Sequence, residues 1–355
     1  MTTKIPPELV DDQVFGNRNV IINGEMQIAQ RGTQTGVGAS TVYGACDRFS
    51  SNPYLTDGRF SVEQSTDTPD GFANSLKYSC TTADTSIAAG EHIIIMQKIE
   101  GFNLQRFAKG TSSAKEFSVS FYVKGNAAAT YVCELYDEAN GRQISKTFAV
   151  TTAWNRIELT FPADTTGTLA NSNAGAMYIA FWIHAGSTYT SGTLNSSAWA
   201  AQNPANRAVG ISSFVDSTNR TLFLTGVQIE TGSQVTPFEH RSIGEVFDLC
   251  QRYFRTSRAN GAYDYIMSTV QFETTTVGQL AYNHTGMRAS PTVSSAGTMQ
   301  FEAAGATATL ASTSIGGDHY LRVTFTSAAA VTVRDTCNIR DAGSGDAVLD
   351  FDSEL

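Results

Sequence analysis

The 355-residue sequence has little charge: Asp, Glu, Lys and Arg make up 16% of it, and the formal net charge is −9. That balance excludes nucleic acid as the main ligand, because neutralising phosphates takes clustered Lys and Arg. The five cysteines, Cys46, Cys80, Cys133, Cys250 and Cys337, are odd in number and widely spaced. They define neither a disulfide framework nor a CxxC or Cys/His zinc spacing, and they read as reduced core residues. No apolar run approaches the roughly 18 residues of a membrane span, and no signal-peptide core opens the chain. Synthesis in a cytoplasm without membrane insertion is therefore expected.

Catalytic patterns are missing as well. The five histidines, His92, His184, His240, His284 and His319, form no HExxH or HxH pair, and neither GxSxG nor a P-loop occurs. The acids in 67–70 and 346–352 sit among Gly, Pro and Ser, which is the setting of solvated turns more than of an acid/base pair. The short internal period of a β-helix is absent. No enzyme, cofactor or catalytic residue is expected.

What the sequence does carry is strand signal. Phe117, Val119, Phe121 and Val123 alternate with Ser118, Ser120 and Tyr122, the period of a half-buried strand. Residues 92–99 are a continuous apolar run fit for a central strand, and 131–136, 143–150, 155–161 and 177–184 follow between Gly-, Asn- and Thr-rich turns. With no helical segment between them, these strands predict an all-β, antiparallel jelly-roll β-sandwich over residues 17–241. At its start, 20–22 and 26–28 read as strands about the Asn23-Gly24 turn, and near its end Gly226 marks a bulge in an apolar strand. The long polar loop at 185–207 holds Tyr189 and Trp199 among small residues. Such aromatics suit stacking on sugar faces, and these two are the candidate glycan-binding residues.

A short connecting helix follows. Ser242 and Glu245 have capping-box spacing, and Ile243, Val246, Phe247, Leu249, Cys250 and Tyr253 form a broad apolar stripe within 243–254. That stripe predicts a packing or oligomer helix buried on more than one side. Residues 242–258 are thus expected as helix and hinge, with the hinge at 255–260. Residues 259–355 are expected as a second, smaller β-domain, with strands at 263–272, 276–282, 292–295, 299–303, 319–326 and 330–334. It is rich in Thr, Ala, Ser and Gly, which predicts a small sandwich with a thin core buried against other copies.

The run GVQIETGSQVTPFEHRSIGEVFDLCQRYF, 226–254, resembles the end of the receptor-binding or tail-fibre type domain of bacteriophage virion proteins. Gly226, Val227, Gln228, Glu230, Gly232, Thr236, Pro237, Phe238, Glu239, Arg241, Glu245, Leu249, Cys250, Gln251, Arg252 and Tyr253 stand at matching positions. The opening NRNVIINGEMQIAQRGT resembles the same family's start, with Gln30, Arg31 and Gly32 in place. The resemblance implies a non-enzymatic tail-fibre or tail-tip component of the virion, built on a carbohydrate-binding-module-like jelly roll. It also implies a homotrimer, an extended arm at 1–16 docking on a neighbouring virion protein, and contact with a bacterial surface glycan or receptor. A polysaccharide-degrading depolymerase module and a capsid decoration or collar protein remain as alternatives. In carbohydrate-binding modules that open similarly with Asn-Gly, an acid near the first strand and an aspartate near the last can hold calcium. Here Glu25 is present but 226–230 offers no aspartate pair, so no metal is expected.

Overall fold

The computed structural model of the protein describes residues 17–302, 305–315, 320–331 and 336–355. The arm expected at 1–16 lies outside the described residues. Strands β1 (Gln34–Val37), β2 (Val42–Tyr43), β3 (Ser50–Tyr54), β4 (Arg59–Ser65), β5 (Ser75–Thr82) and β6 (His92–Glu100) come first. After the short helix α1 (Gly101–Leu104) come β7 (Phe117–Gly125), β8 (Ala129–Asp137), β9 (Arg142–Val150), β10 (Asn155–Phe161) and β11 (Gly175–Ala185). Helix α2 (Ser187–Thr190), β12 (Ala200–Ala201) and β13 (Thr221–Thr231) precede helix α3 (Ile243–Gln251).

These strands form an antiparallel jelly-roll β-sandwich of two sheets, in the orders β1-β4-β5-β13-β7-β10 and β12-β9-β8-β11-β6-β3-β2. The alternation in β7 does what its period requires: Phe117, Val119, Phe121 and Val123 enter the core between the sheets. Phe121 meets Phe148 and Phe181 edge-on, both at 4.9 Å between ring centroids. In β13 the register slips between Thr225 and Gln228, and Gly226 sits at φ 62° with the Phe72 ring 2.8 Å from where a Cβ would stand. Only glycine meets both demands of this bulge. All five cysteines are buried.

The leading segment departs from expectation. Val20–Ile22 and 26–28 are not strands; the segment is irregular yet buried. Its backbone groups are satisfied largely by side chains, as a buried irregular segment requires. Gln97 accepts from Ile22 N at 2.8 Å and donates to Ile22 O at 2.9 Å. Asn19 Oδ1 accepts from Ile21 N and Ile229 N, both at 3.0 Å, while its Nδ2 donates to Val227 O at 3.1 Å. The Glu239 carboxylate takes the amides of Asn17, Arg18 and Asn19, and Arg241 Nη2 donates to Asn19 O at 2.7 Å. Gln228 Oε1 in turn accepts from Glu239 N at 2.8 Å. Start and finish of the sandwich are thereby clamped together across more than 200 residues of chain, since Asn19 and Glu239 are 220 apart.

The chain divides into two compact units with the boundary between Phe247 and Asp248, inside α3. The helix starts where expected: Glu245 N donates to Ser242 Oγ at 3.3 Å. It stops at Gln251, three residues short of the expected end. Its stripe is not buried throughout. Val246, Cys250 and Tyr253 are buried and Leu249 is half-buried, but Ile243 is 64% and Phe247 38% exposed. The expected hinge at 255–260 is mostly strand β14 (Phe254–Arg258).

The second unit continues with β15 (Tyr265–Thr274), β16 (Val277–Asn283), β17 (Thr292–Ala296), β18 (Met299–Phe301), β19 (Thr307–Ile315), β20 (Tyr320–Ser327), β21 (Thr336–Asp341) and β22 (Val348–Asp352). Instead of a small sandwich, β15-β16-β20-β19-β18-β21 close into a barrel, and β14-β22-β17 form a separate sheet. Nor is the core thin: Val270, Phe272, Phe301, Val323, Phe325 and Ile339 are each fully buried. Most of the strand expected at 330–334 lies outside the described residues.

Two predictions follow from the clamp. Asn19→Ala leaves the amides of Ile21 and Ile229 without their acceptor and is expected to destabilise the sandwich by about 3 kcal/mol in urea unfolding. Burial alone would raise the Glu239 carboxyl, but the Asn19 amide, the Arg241 charge and the other two amides outweigh it and hold its pKa below the ordinary range. A lowered native pKa stabilises above the unfolded value, about 4.3, and that stabilisation is lost as pH falls through the native value. A pH series of unfolding midpoints is therefore expected to decline below about pH 4.3 less steeply in Glu239→Gln than in the wild type.

Candidate functional site

The continuous apolar run at 92–99 is explained by burial on both faces of the sheet. Ile93, Ile95 and Ile99 point into the sandwich, whereas Ile94 and Met96 join Val132, Ala180, Trp182 and Ala208 in a second cluster on the outer face. The segment between β11 and β13 covers this cluster. It is held by Ser145 N to Asn195 O at 2.7 Å, Ala208 N to Tyr189 O at 2.9 Å and Ser212 N to Thr130 O at 2.7 Å.

One buried polar assembly organises the cover. Glu134 on β8 takes two hydrogen bonds from Arg207, 2.8 Å from Nε and 2.6 Å from Nη2, and one from Trp182 Nε1 at 2.9 Å. The guanidinium lies 4.6 Å from the Tyr136 ring centroid and 4.8 Å from that of Trp182, and it also donates to Tyr178 Oη at 3.0 Å. Burial disfavours the Arg207 charge, yet the Glu134 carboxylate more than offsets this and raises its pKa. A carboxylate that accepts three hydrogen bonds and a guanidinium with three accepting oxygens and two ring faces are each satisfied, the condition for such a pair in a dry site.

The two sequence-derived glycan candidates part company here. Trp199 enters the main core, 8% exposed, with Nε1 donating to Pro162 O at 2.8 Å and its ring 5.8 Å from Phe117. It presents no free face and is corrected to a loop pin. Tyr189, in α2, is half-buried on the outer face, 5.1 Å from both His92 and Trp182. Beside it Tyr54 stacks on its cross-strand partner His92 at 5.4 Å and 24°, with 51% of its surface exposed. Neighbouring Leu55 is 63% exposed. Burial, aided by the Arg207 charge, pushes the His92 imidazole down to about 4, so the ring is neutral near pH 7.

Tyr54, His92 and Tyr189 thus make an aromatic edge with one exposed ring, an arrangement suited to stacking on a sugar face. Sequence reasoning missed Tyr54 and His92; the only signal was an aromatic after a strand proline in SSNPYL, whose register was not readable. In the second unit, Gln271, Glu273, Gln279, Tyr320 and Arg322 line a polar groove of about 450 Å³ on the outside of the barrel.

The acids read as turn residues serve structure. Asp67 bonds Lys124 and Trp154 Nε1, and Asp350 accepts from Thr256. Glu25, considered for calcium, is 2.9 Å from His240 Nδ1. The Glu134 pair yields a test: Arg207→Ala leaves that carboxylate buried and without its cation, which is expected to cost about 3–5 kcal/mol. Red-shifted Trp182 fluorescence and a lowered urea midpoint report it.

No family model and no curated protein matches the chain. Solved structures do. A family 4 carbohydrate-binding module matches at 11% identity over 59% of this chain and 97% of its own, with a TM-score of 0.30. A family 61 module in complex with β-1,4-galactotriose matches at 9% identity over 60% and 99%, TM-score 0.30. A family 30 module of a cellulosomal cellulase of Clostridium thermocellum matches at 11% over 57% and 99%, TM-score 0.30. The sandwich is defined by this chain's own strand pairing.

Proposed function

We propose that the protein is a non-enzymatic bacteriophage virion component, a tail fibre or tail-tip appendage, that contacts glycan on the bacterial surface. The observation that carries this reading is the meeting of two sequence runs. The opening at 17–32 and the closing run at 226–241, both similar to phage tail proteins, converge on the single clamp of Asn19, Gln228, Glu239 and Arg241. Two runs that resemble one family at opposite ends of the domain are thus parts of one structural unit. The Tyr54–His92–Tyr189 edge supports sugar contact, and residues 1–16 are the proposed virion-docking arm. Exposed Ile243 and Phe247, four apart on α3, support a homotrimer joined through that face.

Four measurements check the reading. Tyr54→Ala is expected to weaken binding to host polysaccharide roughly tenfold, about 1.4 kcal/mol, without moving the unfolding midpoint; unchanged binding discards the aromatic edge. Shortening of the polysaccharide on incubation would favour the depolymerase alternative. Phe247→Asp is expected to shift sedimentation from trimer to monomer, and a wild-type monomer would remove the assembly part. Labelled antibody on intact particles distinguishes a tail from a collar or capsid position.

A further inference from the structure

At the end of the sandwich where β5 and β11 finish and β6 begins, three side chains far apart in sequence converge. Asp84, Glu91 and His184 bring one donor atom each to within 4.8 Å of the others, and all three are buried. His184 and Glu91 side chains are 0% and 5% exposed, with Nε2 3.4 Å from Glu91 Oε2. From these positions we infer that Asp84, Glu91 and His184 bind a divalent cation of the zinc class.

Charge is the first reason. Two carboxylates share this buried site, and no Lys or Arg pairs with either among the described residues. An imidazolium at His184 would offset one charge of the two, so a buried negative charge remains that a bound cation would balance without protonating either carboxylate. Glu91 makes the point most sharply: its side chain is nineteen-twentieths buried, and its one side-chain partner is the long 3.4 Å contact to His184. Orientation is the second reason. His184 Nδ1 lies 2.8 Å from Ser213 Oγ, and with the proton on Nδ1 the Nε2 lone pair faces the carboxylates. Asp84 Oδ2 accepts from Thr56 Oγ1 at 2.9 Å and Asp57 N at 3.0 Å, and Oδ1 from Ser86 N at 3.2 Å. Such outer hydrogen bonds are how proteins aim metal ligands.

The frame is stiff. Asp84 N donates to Val215 O at 2.7 Å, Gly186 N to Glu91 O at 2.8 Å, and Phe214 N to Ile183 O at 2.8 Å, so the loops bearing all three ligands are tied together. A Cβ at Gly186 would stand 2.0 Å from Ala88 O, which shows how closely the segment after β11 approaches the loop before β6. Bonds of about 2.0–2.2 Å around a tetrahedral ion set donors roughly 3–4 Å apart, against the 4.8 Å within which the three donors lie here. One imidazole with two carboxylates favours zinc over calcium, which takes six to eight oxygens. Water or a second carboxylate oxygen completes the shell. The ion would staple the loop before β6 to the end of β11, directly behind His92. This inference stands apart from the glycan reading and survives its failure.

The test uses the full chain, stripped with chelator and titrated with Zn2+. One zinc per chain and a raised Tm are expected. Glu91→Gln, which keeps the shape and removes one charge, is expected to lower zinc affinity at least roughly tenfold, the loss that even an outer-shell change can bring. Should that variant fail to fold, X-ray absorption at the zinc edge of the wild type decides: one imidazole nitrogen with carboxylate oxygens supports the site. No zinc uptake, equal affinity in wild type and Glu91→Gln, a shell of several imidazoles or any thiolate, or a Tm response to Ca2+ alone would overturn it.

Discussion

The first unit depends on a clamp made by side chains where a strand ladder would otherwise be needed. The segment leading into the sandwich is apolar enough to be buried and too irregular to pair, so its amides and carbonyls need partners that come to them. Asn19, Gln97 and Glu239 supply them, and each contacts backbone far away in sequence. Because Asn19 bonds both its own segment and β13, the segment leading into the sandwich is fixed to a central strand of one sheet. The bulge at Gly226 and the absence of a Cβ at Gly24, where one would stand 2.1 Å from Val227 O, are what allow that approach.

Much of this was readable, though for a different reason than its cause. The pattern Gln228, Glu230, Thr236, Pro237, Glu239, Arg241 stands out in the sequence as a resemblance, while the structure shows why those types stand there. Glu230 takes the amide and hydroxyl of Thr236, and Gln228 and Arg241 hold Glu239. Strands with strict alternation, such as β7, were legible because periodicity is local. Tyr253 and Phe254 extended the expected helix too far, since apolar residues beyond Gln251 satisfy a helical spacing as well as the buried start of β14. Strand β19, TATLASTSI, went unread because Thr, Ala and Ser alternate too weakly in polarity to mark a face. Barrel closure is a long-range event with no local signature.

The outer face of the larger sheet shows the limit most clearly. Glu134 and Arg207 are 73 residues apart, and neither looks unusual in its own neighbourhood. Only when β8 and the covering segment are brought together does the face become dry and the pair complete. The aromatics of the loop then sort by geometry, Trp199 inward and Tyr189 to the rim. The exposed aromatic edge lies at the margin of a covered face, on Tyr54 and His92, and not on the loop whose composition first drew attention.

The closed barrel of the second unit has a consequence for life in a crowd. Strands that end a sheet leave a row of unpaired amides and carbonyls that a neighbour's strand can join, and many copies held side by side raise that hazard. Six strands pair round the barrel, whereas the separate three-stranded sheet ends on β14 and β17. A foreign strand seeking backbone partners in this unit would find an open row on β14 or β17 more readily than on the barrel.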